Sequence, residues 1–167
     1  MSVEPYPSYV TTTTFHFDAL SPERLEAIRR ARIDDSGNVL DSALEAEGGE
    51  PLRCCLRLAK PGEQLLLISY RPFGQFGPYA EAGPVFVHSQ RCDGYPADGG
   101  YPEDYRDRQQ VFRCYDEAGR IIGGRLSDAG DDVEAIIADL FSDEKVALIH
   151  TRNVVFGCYM LQIRRSV

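Results

Sequence analysis

Three times along this chain, two short β-prone runs sit on either side of a turn sequence. Residues 52–59 and 64–71 flank Lys60-Pro61-Gly62-Glu63, where proline followed by glycine is turn chemistry. Residues 110–115 and 120–126 flank Asp116-Glu117-Ala118-Gly119. Residues 146–151 and 155–164 close the chain around Asn153. Such short connections join antiparallel strands, because a parallel pair needs a crossover of a dozen or more residues. The chain is therefore expected to build hairpins, and no strand–helix–strand alternation competes with that reading.

The runs differ in how they face the core. In 52–59, Leu52, Cys54, Leu56 and Leu58 alternate with Arg53, Cys55, Arg57 and Ala59, which predicts one buried face and one polar face. Leu65-Leu66-Leu67-Ile68 is apolar on both faces and predicts a central strand. Residues 11–17 and 85–90 read as further strands. Ser21-Pro22-Glu23 is a helix start, predicting a helix to about residue 33 with Leu25 and Ile28 inward. Asp131 with Glu134 forms a capping box for a second helix. Its apolar positions, Val133, Ile136, Ile137, Leu140 and Phe141, share one face. Residues 34–50 read as an acidic linker with a short helical piece at 41–46, and 72–84 and 91–107 as loops. The expected fold is α+β, an antiparallel β-sheet built from hairpins with two main helices packed on it. Residues 1–10 are expected to be a flexible arm, and 11–167 a single domain.

Composition excludes several function classes. The 167 residues carry 26 acidic and 18 basic side chains, a net charge of −8. An acidic field argues against nonspecific binding to nucleic acid or to an anionic membrane. No apolar run spans a bilayer and no signal peptide precedes the first strand. Five cysteines without an export signal point to free thiols in a reducing, cytoplasmic setting. No phosphate loop, dinucleotide fingerprint or nucleophile elbow is present.

The site candidates lie at strand ends. Pro78-Tyr79-Ala80-Glu81-Ala82-Gly83 runs into an apolar strand that ends at His88, and Ile149-His150-Thr151-Arg152-Asn153 lies near the C-terminus. If Lys60 faces Glu63 across the turn, Arg53 falls opposite Tyr70 as a cation–π pair, or pairs with Glu63 or Glu81. Arg53, Arg57, Arg152 and Asn153 would orient a small anionic molecule, with Tyr79 covering it and Glu81 and His88 at the rim. His150 would be the acid or base if chemistry occurs. Cys55, between Arg53 and Arg57, is the candidate reactive thiol, whereas Cys54 on the apolar face reads as inert.

Cys54, Cys55, His88, Cys92, His150 and Cys158 are the potential metal ligands. On a strand, His88 and Cys92 would stand about 13 Å apart, and Cys54 and Cys55 would point to opposite faces. Ligands of one zinc lie within about 4 Å of each other. On that spacing no metal and no cofactor is expected.

Arg53 and Leu56, Ala59-Lys60-Pro61-Gly62-Glu63, Pro78-Tyr79, Gly83-Pro84-Val85-Phe86-Val87, Tyr115-Asp116 with Gly119, and His150, Asn153 and Gly157-Cys158-Tyr159 stand in order. Over roughly residues 50–165 this set resembles an uncharacterised bacterial family, domain of unknown function 1203. The resemblance implies a bacterial source and no known activity, and it assigns no catalytic residue. Cys54-Cys55 and His88 depart from its pattern. The expected function is binding of a small anionic ligand in a cationic, aromatic-rimmed cleft. Its rivals are a noncatalytic protein-interaction module that self-associates, as a possible homodimer, through a sheet edge or the 95–105 loop, and a thiol-dependent enzyme using Cys55.

Overall fold

The computed structural model describes residues 15–72 and 77–166. The expected arm at 1–10 and the start of the expected first strand lie outside them. The strands, in chain order, are β1 (Phe15–Asp18), β2 (Leu44–Glu45), β3 (Pro51–Leu52), β4 (Arg57–Leu58), β5 (Gln64–Tyr70), β6 (Gly83–His88), β7 (Gln110–Tyr115), β8 (Ile121–Ser127), β9 (Leu148–Asn153) and β10 (Tyr159–Arg165). The helices are α1 (Pro22–Ala31) and α2 (Val133–Leu140). They form two sheets rather than the one expected. The first has the order β1-β10-β9-β7-β8 and is antiparallel throughout; the second has the order β2-β5-β6-β3-β4.

Local chemistry explains most elements. The Ser21 hydroxyl accepts from Arg24 N and Pro22 opens α1, which buries Leu25 and Ile28. Arg32, at φ 56°, ends it two residues before the expected stop. Helix α2 is capped by Asp132, one residue later than expected, through Ala135 N. The acidic segment holds strand β2 where a helical piece was expected.

One expectation fails outright. Residues 52–59 do not form a strand paired with 64–71. The chain turns at 53–56, where Leu56 N donates to Leu52 O at 2.9 Å and Leu56 takes φ 55°. Strand β6 lies between β5 and β3, antiparallel to the first and parallel to the second. Leu52 pairs with Phe86, and Arg53 N donates to Phe86 O at 2.9 Å.

Two apolar cores result. One joins α1 to the second sheet through Leu25, Ile28, Leu52, Ile68 and Val85. The other joins α2 to the first sheet through Val133, Ile137, Phe112, Ile149 and Leu161. Arg53 ties the two sheets, its Nε donating to Tyr159 O at 2.8 Å. Tyr105 Oη donates to Leu52 O at 2.8 Å across the same seam. No helix among the described residues is long and apolar enough to cross a membrane.

Candidate functional site

The turn at 53–56 places consecutive residues in two different environments. Arg53 enters the seam between the sheets, where it is 3% exposed and also donates to Pro51 O. It lines a cleft of about 720 Å³ together with Arg108, Asn153, Phe86, Phe156 and Leu67. Burial pulls the Arg53 guanidinium below the usual arginine range, and Arg108 pulls it the same way by like-charge repulsion. Among the described residues neither guanidinium pairs with a carboxylate. Of the two acids on the wall, Glu50 is engaged by the N–H groups of Glu47 and Gly48, at 2.7 and 3.0 Å.

The β9–β10 turn builds the opposite rim. Asn153 Oδ1 accepts from Phe156 N at 3.0 Å, and Gly157, at φ 69°, lets the chain reverse. Phe156 is held out at the tip, 80% exposed. It borders both the main cleft and a smaller recess of about 170 Å³ that holds Arg152 and Glu81. In that recess Arg152 is neutralised by Glu81 at 2.8 Å, and Glu81 also meets Arg113 at 3.2 Å.

The sequence-derived candidates therefore divide. Arg53 and Asn153 share the main cleft, and Arg152 and Glu81 lie in the recess beside it. Tyr79, in the short turn Gly77–Tyr79, lines neither. The aromatic rim comes from Phe156 and Phe86 instead. Arg53 neither stacks on Tyr70, which receives Arg24 at 4.3 Å, nor pairs with Glu63 or Glu81. His150 lies in the core rather than the cleft. It is packed against Tyr115 and Tyr159 and donates from Nε2 to Gln162 Oε1 at 3.1 Å. Burial pushes its pKa down to about 4, so it is neutral near pH 7. Arg108 and Phe156 were missed. The lone aromatic beside the Asn153 turn was the only signal for the second, and the 91–107 loop gave none for the first.

Arg57 and His88 belong to a separate group with Cys54, Cys55, Cys92 and Glu63. The expectation that the sulfur and imidazole ligands stand too far apart is overturned. Ligand atoms of Cys54, Cys55, His88 and Cys92 all lie within 4.8 Å of one another. The spacing of extended strands does not apply, because Cys54 and Cys55 occupy a turn and Cys92 lies beyond a bend at 89–90. Cys55 is half-buried; a hydrogen bond from Cys54 lowers its thiol pKa, and Arg57 adds to that.

The chain matches the family model described as a protein of unknown function, DUF1203, over residues 49–165. It belongs to that family, and the matched region contains both the cleft arginines and the cysteine–histidine group. No curated protein and no solved structure shows detectable similarity to it.

Proposed function

We propose that this member of the DUF1203 family binds a small carboxylate or phosphate carrying an apolar body in the cleft between its two sheets. One observation carries the reading. Two arginines without carboxylate partners among the described residues, one of them nearly inaccessible to solvent, line one cleft with Phe86, Phe156 and Leu67. A buried cation lacking a counter-ion costs free energy that an anionic ligand would recover. Arginine suits the task because its planar donors bind carboxylate or phosphate in pairs. Phe86, Phe156 and Leu67 would cover the ligand body, and Asn153 would add an amide donor. Among the described residues no histidine lines the cleft, which favours binding over acid–base catalysis.

A thermal-shift series tests this with acetate, benzoate, inorganic phosphate and phenyl phosphate. Ligand at 100 times its dissociation constant adds about 2.7 kcal/mol, a rise of roughly 5–11 °C for a chain of this size. Benzoate and phenyl phosphate should exceed acetate and phosphate, because they also fill the apolar wall. Arg108→Ala, which leaves the seam bonds of Arg53 intact, should abolish the shift. An unchanged shift in Arg108→Ala and Arg53→Ala, or no shift with any of the four, would refute the reading.

A further inference from the structure

The parallel pairing of β3 with β6 has a consequence at their ends. Leu52 stands beside Phe86, so two residues further on Cys54 stands level with His88. The pairing stops there. The chain turns at 53–56 on one strand, which presents Cys54 and Cys55 together, and bends at 89–90 on the other, which brings Cys92 back. Cys54 Sγ lies 3.9 Å from Cys55 Sγ and 3.5 Å from His88 Nδ1, and Cys55 Sγ lies 3.9 Å from the same nitrogen. In a tetrahedral zinc site with bonds of about 2.3 Å to sulfur and about 2.0 Å to nitrogen, neighbouring sulfurs are about 3.8 Å apart and sulfur and nitrogen about 3.5 Å. The Cys54–Cys55 and Cys54–His88 spacings match those edges, Cys55–His88 is slightly longer, and Cys92 Sγ lies within 4.8 Å of the other three ligand atoms.

The surroundings fit as well. His88 turns Nδ1 to the sulfurs, and its Nε2 stands 3.2 Å from both Glu63 Oε1 and Arg57 Nη2; with Nδ1 on a metal, Nε2 would carry the proton and donate it to Glu63. A carboxylate behind a ligating imidazole fixes its tautomer and orientation. Glu63 is in turn held by both Arg57 Nη groups, at 2.9 and 2.6 Å. His88 N donates to Cys54 Sγ at 3.3 Å, which fixes that sulfur beside the imidazole. Three thiolates and a neutral imidazole around a divalent ion leave one negative charge, beside the Arg57–Glu63 ion pair. Nothing in a core of packed thiols requires this second layer.

We propose that Cys54, Cys55, His88 and Cys92 bind one zinc ion in a closed, structural Cys₃His site. Four protein ligands leave no open position for substrate, and soft thiolates with one imidazole in tetrahedral array select zinc over harder ions. The ion would clamp the 53–56 turn to the end of β6. Binding displaces three thiol protons into solvent and transfers no electrons. This does not depend on the cleft, since none of the four ligands lines it.

Elemental analysis of the full chain, purified without chelator or affinity-tag metal, should find about one zinc per molecule. Replacing zinc with cobalt should give the intense visible bands of a tetrahedral ion and a thiolate charge-transfer band in the near ultraviolet. Both should vanish in Cys92→Ser. They should persist in Cys158→Ser, which changes a cysteine outside the group. Glu63→Gln should keep the spectrum while weakening zinc affinity by about 10- to 100-fold. Should Cys92→Ser fail to fold, alkylation of the wild type decides: Cys54, Cys55 and Cys92 should resist labelling until zinc is chelated, with Cys158 labelled throughout. Absence of metal together with free labelling of all three, a disulfide among them, or retention of iron or copper in place of zinc would each overturn the proposal.

Discussion

His150 shows what burial does to a single group. It is 0% exposed, and its pKa lies near 4 rather than the ordinary 6.5. As pH falls through that interval, the unfolded chain takes up a proton that the folded protein refuses. His150 therefore leaves stability intact above about pH 6.5 and lowers it progressively towards pH 4, by roughly 3 kcal/mol in all. Imidazole resonances followed by NMR should show His150 titrating near 4, and His150→Gln should flatten the loss of melting temperature across that window. A titration near 6.5 would contradict the account. The sequence placed His150 on one face of a strand correctly but could not say what covers that face. Alternation reports the side on which a residue lies, and only the neighbouring strands and Tyr115 and Tyr159 decide whether that side is wet.

At the scale of elements, Asp34 holds the segment after α1 against β5. Its carboxylate accepts from Ser69 N at 2.7 Å, Asn38 N at 2.9 Å and Ser36 N at 3.0 Å. Burial works to raise its pKa, but these bonds and the Asn38 amide outweigh it and the pKa falls. Asp34→Ala leaves three backbone donors unserved and should cost roughly 3 kcal/mol in chemical denaturation, with Asp34→Asn intermediate. A loss under about 0.5 kcal/mol, the range of ordinary surface changes, would show the bonds to be incidental. Both helices were legible because Ser21-Pro22 and the Val133, Ile137 spacing act locally. The turn at 53–56 was not. Leu52, Cys54 and Leu56 are all buried, as the apolar face of a strand would be, but so is Arg53, and the strand does not form. What breaks the strand is the left-handed conformation of Leu56, which no residue type there announces. The alternation therefore hid both the convergence of the cysteines and the insertion of β6.

Across the whole molecule, the 53–56 turn is where the two sheets meet. Arg53 and Tyr105 bond across the seam, Leu20 N donates to Arg53 O at 2.9 Å, and Leu56 packs into the core of the first sheet. The cleft is the open side of that seam. Its existence depends on strand order, which turn chemistry does not encode, so the sequence supplied Arg53 and Asn153 as separate candidates and the topology brought them together. The central claim is that Arg53 and Arg108 await an anion there. The most direct measurement is a titration of the folded chain with phenyl phosphate, followed through the arginine Nε–Hε and asparagine side-chain NMR signals. The account predicts saturable shifts at Arg53, Arg108 and Asn153, with Arg57 and Arg164, held by Glu63 and Asp18, left in place. Shifts spread evenly over the surface arginines, or none at Arg53, would contradict it.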